Sequence, residues 1–202
     1  MGFDAVVGVD EAGRGPLAGP VVTAAAYLNT YRFRARIDDS KKLTAKEREE
    51  AFSEIIQKST FAFSIIDEKI IDALNILVAT RICMENAVFS LLGRPRPFCS
   101  AEELRSKKGR GKKICILVDG NIRLAISDYP VISIPHGDSI SKTIACASIL
   151  AKVSRDRIMS LYDKVWPQYG FLKHKGYPTS GHRQALRQFG PCPVHRLSFS
   201  YV

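Results

Sequence analysis

VGVDEAGRGPLAGPVVTAA, residues 7–25, is the stretch on which the reading of the fold turns. Its first half continues an apolar run that begins at Ala5 and ends on two acids, Asp10 and Glu11. A short apolar run closed in this way reads as a buried strand over residues 5–10. Its second half enters another β-rich stretch, residues 20–28, and Gly13, Arg14 and Gly15 make a tight turn between the two. Working outward, residues 44–58 read as a helix, with Thr44 as N-cap and Glu47 closing a capping box. Residues 61–67 form a third strand, and 67–92 one broken helix or two. Residues 114–119 (ICILVD) are another buried strand, and 131–134 a short one after the Tyr129-Pro130 turn. From Asp138 to about Trp166 the pattern is helical, and its first half, SISKTIACASILAKV, is small or apolar nearly all round, which marks a helix at the centre of the molecule. Residues 179–188 form a last helix before a Pro-rich tail. Three early strands, then helices alternating with two later strands, predict an α/β chain with a mixed sheet flanked by helices.

The 202 residues, 46% hydrophobic, suit a single domain with a full core. Thirty Lys and Arg against twenty Asp and Glu give a net charge of +10, which points to a polyanionic partner, nucleic acid first. Five scattered cysteines without a CxxC pair suggest neither a disulfide framework nor a zinc site. No apolar run has the length of a membrane span, and no basic stretch leads into a signal core. The expectation is a cytoplasmic monomer without a membrane partner or small-molecule cofactor. Residues 93–113 (GRPRPFCSAEELRSKKGRGKK) carry eight basic residues and two acidic ones, and read as a basic surface loop that is either a solvated linker or a nucleic-acid contact.

Four acids stand at the ends of these elements. Asp10 and Glu11 end the first strand, Asp119 ends the fourth, and Asp138 opens the buried helix. Taken singly, they read as strand ends, a turn and an N-cap. Strand ends in such a sheet, however, face the crevice where ligands bind. Four carboxylates gathered there repel one another unless a cation neutralises them. Oxygen ligands without His or Cys select Mg²⁺ or Mn²⁺. Two such ions about 3.5–4 Å apart suit phosphodiester hydrolysis. Along the helix, at about 100° per residue, Asp138, Lys142, Ala145, Ile149, Lys152 and Asp156 share one stripe, with Ile140, Ile144, Ala147, Ala151 and Ile158 opposite. His136, His174, His182 and His195 are not spaced as a metal site or triad and receive no catalytic role.

Residues 7–25 resemble the signature opening of the ribonuclease HII family (type 2 ribonucleases H). DDSKKL (38–43), LVDGN (117–121), HGDSISKTIACASILAKVSRDR (136–157), HKGYPTSGH (174–182) and HRLSF (195–199) follow in that family's order. The resemblance covers nearly the whole chain except residues 93–113. It implies a ribonuclease-H-like fold, a central five-stranded mixed sheet flanked by helices, with a helical C-terminal portion from about residue 160 to 202. It also implies cleavage 5′ to ribonucleotides in RNA/DNA hybrids and in ribonucleotide-containing duplex DNA, with two Mg²⁺ or Mn²⁺ ions held by Asp10, Glu11, Asp119 and Asp138. By the same resemblance, the backbone of Gly13, Arg14 and Gly15 grips the 2′-hydroxyl and the neighbouring phosphate. Glycine suits that role because no Cβ blocks the approach. Tyr177 stacks on the sugar after the RNA-to-DNA step, Lys41 and Lys42 contact substrate, and Ser148 bonds phosphate or its own helix backbone. The alternatives are a ribonuclease HIII, which typically has GKG, a final glutamate and an extra N-terminal domain, and a non-catalytic hybrid binder, which would lose carboxylates.

Overall fold

The computed structural model describes residues 2–93 and 113–200. The basic stretch 93–113 therefore lies, apart from its two end residues, outside them. In chain order the elements are β1 (Ala5–Ala12), β2 (Val21–Leu28), α1 (Ala45–Lys58), β3 (Ser59–Ile66), α2 (Glu68–Leu74), α3 (Ile76–Leu91), β4 (Ile114–Asp119), β5 (Val131–Ile134), α4 (Gly137–Ile140), α5 (Lys142–Val165), α6 (Phe171–His174) and α7 (Ser180–Phe189), with a 3₁₀ turn at Pro167–Tyr169. The five strands form one sheet in the order β3-β2-β1-β4-β5. β1–β2 and β2–β3 are antiparallel; β1–β4 and β4–β5 are parallel. This is the mixed five-stranded sheet that the family resemblance implies.

Local chemistry explains several boundaries. The capping box at α1 is complete: Thr44 Oγ1 accepts the Glu47 N–H at 3.2 Å, and Glu47 Oε2 accepts the Thr44 N–H at 2.7 Å. The helical stretch after β3 is two helices, bent by 120° at Asn75. Asn75 takes φ +70, and its Oδ1 accepts the N–H groups of Leu77 and Val78 to start α3. Asparagine tolerates that backbone region better than most residues. Among the described residues no single helix is long and apolar enough to cross a membrane.

Helices cover both faces of the sheet. On one, α3 places Met84, Ala87 and Val88 against Val7, Val9, Ile116 and Val118. On the other, α1 and α5 pack on Ala24, Ala26 and Leu28. Side chains alternate along a strand, so Gly8 faces α5 while Val7 and Val9 face α3. A Cβ on Gly8 would overlap the backbone at Thr143 and Ile144, so α5 crosses the sheet at a distance that glycine alone permits. The consequence is a helix buried from Thr143 to Ala151, as its composition predicts.

One expectation fails. The helix beginning at Asp138 is interrupted at Ser141, which is extended (φ −111, ψ 119), leaving α4 as a single turn before α5. The continuous stripe from Asp138 to Asp156 is therefore broken. Asp138 is not on α5, and Ala145 and Ile149 lie in the core. The polar members of the stripe left on α5 are Lys142, Lys152 and Asp156, of which Lys152 and Asp156 pair with each other.

Beyond α5 the chain wraps back. Tyr169, Phe171, Leu186 and Val194 form a third cluster with Leu17 and Ala18, from the loop that follows β1. The C-terminal residues thus pack directly under the glycine-rich loop.

Candidate active site

The three parallel strands β1, β4 and β5 end side by side. Val9 pairs with Val118 and Asp119 with Ile134, so Asp10 and Asp119 stand next to each other at the C-terminal edge of the sheet. The chain leaving β5 turns through His136, at φ +54, and brings in α4. There the Asp138 N–H donates to Asp119 Oδ1 at 3.3 Å. Ligands bind outside the carboxyl ends of strands in open α/β sheets, and this edge is where the acids collect.

Burial and mutual repulsion dominate the electrostatics. Asp10 is 4% exposed; burial, then the charges of Glu11 and Asp119, push its carboxyl well above the usual range. Burial raises Glu11 as well, with Arg14 opposing from 3.4 Å. Asp138 is raised by burial, then by Asp119 and Asp39. Its Oδ2 is buried and hydrogen-bonds to none of the described residues, although the Lys41 ammonium is 3.6 Å away. A carboxylate oxygen in that position is destabilising unless a cation or donor reaches it.

The donor chemistry fits a hard divalent cation, being all oxygen with an acceptor left over. As they stand, no three His, Cys, Asp or Glu side chains among the described residues are drawn close enough together to hold an ion. The acids are neighbours, and holding one ion in common would require their side chains to rotate.

Asp10, Glu11 and Asp119 line a cleft of about 330 Å³ together with Gly13, Arg14, Gly15, Lys41, Ser148 and Tyr177. Gly13 adopts φ +104, and the Tyr177 ring lies 3.7 Å from where a Cβ on Gly15 would be. Asp138 adjoins this cleft through Asp119 and Lys41. Lys42 does not line it: its Nζ meets Asp38 Oδ1 and Ser139 Oγ, both at 3.3 Å. Ser148 is buried, with its hydroxyl 2.9 Å from Ser40 Oγ and a bond to the Asp10 carboxylate that lowers it. Its partners are thus side chains of the cleft and not its own helix backbone.

Sequence reasoning passes over four residues of consequence. Ser40 and Lys152 line the cleft wall, and Asp39 lies beside Lys41 and Asp138. Arg155 is fully buried beneath the loop. Nothing local in the sequence marks Arg155, which stands among the charged Lys152, Asp156 and Arg157 of α5, although a buried guanidinium needs acceptors around it.

Comparison with known proteins adds independent support. The family model for ribonuclease HII matches residues 7–202. Ribonuclease HII of Ruminiclostridium cellulolyticum is 48% identical over 199 residues, which are 98% of this chain and 71% of that protein. The crystal structure of ribonuclease H2 from Pyrococcus horikoshii matches with a TM-score of 0.74 at 25% identity, covering 98% of this chain and 94% of that one. Bst-RNase HIII, solved in complex with Mn²⁺, shares the fold with a TM-score of 0.66 at 18% identity, covering 100% of this chain and 68% of that one. The chain belongs to the ribonuclease HII family and is a hydrolase of RNA/DNA hybrids.

Proposed function

We propose that this enzyme cuts the phosphodiester 5′ to a ribonucleotide, in hybrids and at RNA–DNA junctions within duplex DNA, leaving a 3′-hydroxyl and a 5′-phosphate. Removal of misincorporated ribonucleotides follows from that specificity, and the enzyme acts as a cytoplasmic monomer. The observation that carries the reading is one cleft shared by an acidic strand edge, a glycine-rich loop and an exposed tyrosine. The acidic edge serves the phosphodiester; the loop and ring serve the sugar. Asp10, Glu11, Asp119 and Asp138 hold two Mg²⁺ or Mn²⁺ ions. When bound, such ions supply Lewis acidity and lower the pKa of water.

The residues themselves do the rest. Arg14, Lys41 and Lys152 bring positive charge to the cleft wall, where a phosphate backbone needs it. The backbone of Gly13, Arg14 and Gly15 meets the 2′-hydroxyl; over a deoxynucleotide those polar groups go unpaired, and such a site can reject the analogue by roughly 10⁴-fold. Tyr177 stacks on the following deoxyribose.

The test is a labelled duplex with one ribonucleotide, beside an all-DNA duplex and a four-ribonucleotide tract, with and without Mg²⁺ or Mn²⁺. Cleavage is expected 5′ to the ribonucleotide, only with metal. Asp119→Asn is expected to remain folded and lose at least ~10³-fold in rate, because it removes an anionic ligand at nearly constant volume. Cutting of the all-DNA control, cleavage mainly 3′ to the ribonucleotide, or a folded Asp119→Asn within ten-fold of wild type (roughly the loss expected of a non-essential group) would refute the proposal.

A further inference from the structure

We infer that Arg155 and Arg196 are positioning residues that clasp the 13–20 loop and the 175–177 turn into one rigid sugar reader, an inference that rests on the role proposed above for Gly13, Arg14, Gly15 and Tyr177. Both side chains are buried, at 1% and 0% exposure. Arg155, rising from α5, donates from Nε to the Pro20 carbonyl and from Nη2 to that of Ala18, both at 3.0 Å. Its Nη1 donates to the Lys175 carbonyl, also at 3.0 Å, so one guanidinium ties the two segments together. Arg196, from the C-terminal chain, reaches four carbonyls of the loop: Gly13 at 2.6 Å, Arg14 at 3.0 Å, Pro16 at 2.8 Å, and Gly19 through both Nε and Nη2.

The bonding is mutual. A buried guanidinium is costly unless its donors are paired, and loop carbonyls outside a sheet need donors. A planar fork spans several carbonyls at once, whereas an ammonium offers its donors from a single point. Glu68 supplies nearby negative charge; burial and Arg155 draw Arg196 down to about 9, which leaves it cationic at neutral pH.

The clasp also sets the direction of the reader. No cis peptide is present among the described residues. In a trans peptide the C=O of one residue points opposite to the N–H of the next. With the Gly13 and Arg14 carbonyls turned inward onto Arg196, the Arg14 and Gly15 N–H groups point away from it, on the side of the loop that lines the cleft. The turn is seated as firmly: Leu17 N–H donates to the Gly176 carbonyl at 2.8 Å, and a Cβ on Gly176 would overlap the Ala18 carbonyl.

The experiment uses the full-length chain and compares binding of a single-ribonucleotide duplex with an all-DNA duplex, Ca²⁺ replacing Mg²⁺ and the duplexes checked to be uncut. In Arg155→Lys and Arg196→Lys the preference for the ribonucleotide duplex is expected to fall at least about tenfold, with all-DNA binding little changed. A purely folding role would lower the melting temperature and leave the preference of the folded molecules intact. Folded Lys variants that keep the wild-type preference overturn the inference. If they do not fold, Gly176→Ala takes their place, since it wedges the turn away from Ala18 without touching either guanidinium, and a retained preference is then decisive against it. A wild type without preference overturns the sugar-reading role itself. Amide exchange then judges the clasp alone, with residues 13–20 and 175–177 exchanging about tenfold faster in the folded variants if it is real and unchanged if it is not.

Discussion

Tyr177 is 43% exposed, and its ring lies over Gly15 beside the acidic edge instead of in the core. A large aromatic left uncovered in a cleft has a face to offer a ligand. Stacking uses the ring and not the hydroxyl, so Tyr177→Phe is expected to keep most of the activity on a single-ribonucleotide duplex. Tyr177→Ala is expected to lose roughly 10–100-fold, the size of one stacking interaction, and to discriminate the junction from a continuous ribonucleotide tract less well. Equal losses in the two variants would show that the hydroxyl, not the ring, carries the role. At this scale, legibility depends on whether the reason for a residue is local. Asp10, Glu11, Asp119 and Asp138 are ordinary one by one, and what draws attention to them is that all four fall at the ends of apolar elements. Arg155 and Arg196 draw none, because their partners are carbonyls up to 183 positions away. The contact of Ser148 with Ser40 is hidden for the same reason, since the two are 108 positions apart.

Elements are legible where local pattern and tertiary demand coincide. All five strands and α1 with its capping box read directly, and the α2–α3 break falls at an asparagine suited to it. The α4–α5 break has no such mark, because Ser141 is neither Gly nor Pro and could continue a helix; what fixes it is the approach of Asp138 to Asp119. The histidines are a second case. His182 and His195 meet with Nε2 atoms 3.0 Å apart, and His174 stacks on His182 with ring centres 4.4 Å apart. The Cys192 N–H donates to His195 Nδ1, which assigns the His195 proton to Nε2 and directs it at His182; the proton on His182 Nδ1 then serves the Tyr177 carbonyl. This relay needs neutral imidazoles. Burial, with the neighbouring His182, draws His195 down to about 4, and burial lowers His182 and His174 too. Unfolded, each binds a proton near 6.5, so between there and about 4 the unfolded state holds more protons and the relay loses stability as pH falls. Buried Asp10, Glu11 and Asp138, raised in the fold, act with the opposite sign, so a global melt mixes the two. Local amide exchange at residues 175–177, corrected for its intrinsic pH dependence, is expected to show full protection above pH 6.5 and progressive opening down to about 4. Constant protection across that window would mean the relay does not hold the turn.

For the molecule as a whole, the charge of +10 is unevenly placed. Basic side chains at the cleft, Arg14, Lys41 and Lys152, are each close to a carboxylate, at Glu11, Asp39 and Asp156 respectively, so part of their charge is already opposed. Residues 93–113 hold eight basic side chains against two acidic ones, a net six of the ten. A duplex threaded through the cleft would extend well past it, and if the basic segment contacts it, its phosphates gain a second place to bind without reading of sequence or sugar. The two roles separate experimentally. Replacing Lys107, Lys108, Lys112 and Lys113 by Ala is expected to weaken binding of single-ribonucleotide and all-DNA duplexes by the same factor, leaving both the preference between them and the rate at saturating substrate unchanged. The slope of log K against log salt is expected to fall by roughly 0.9 for each phosphate that the variant no longer neutralises, which distinguishes reduced counterion release from a distorted cleft. A variant with wild-type affinity and salt slope would make the segment a solvated linker, and the pull on the duplex would then have to come from the lysines and arginines around the cleft itself.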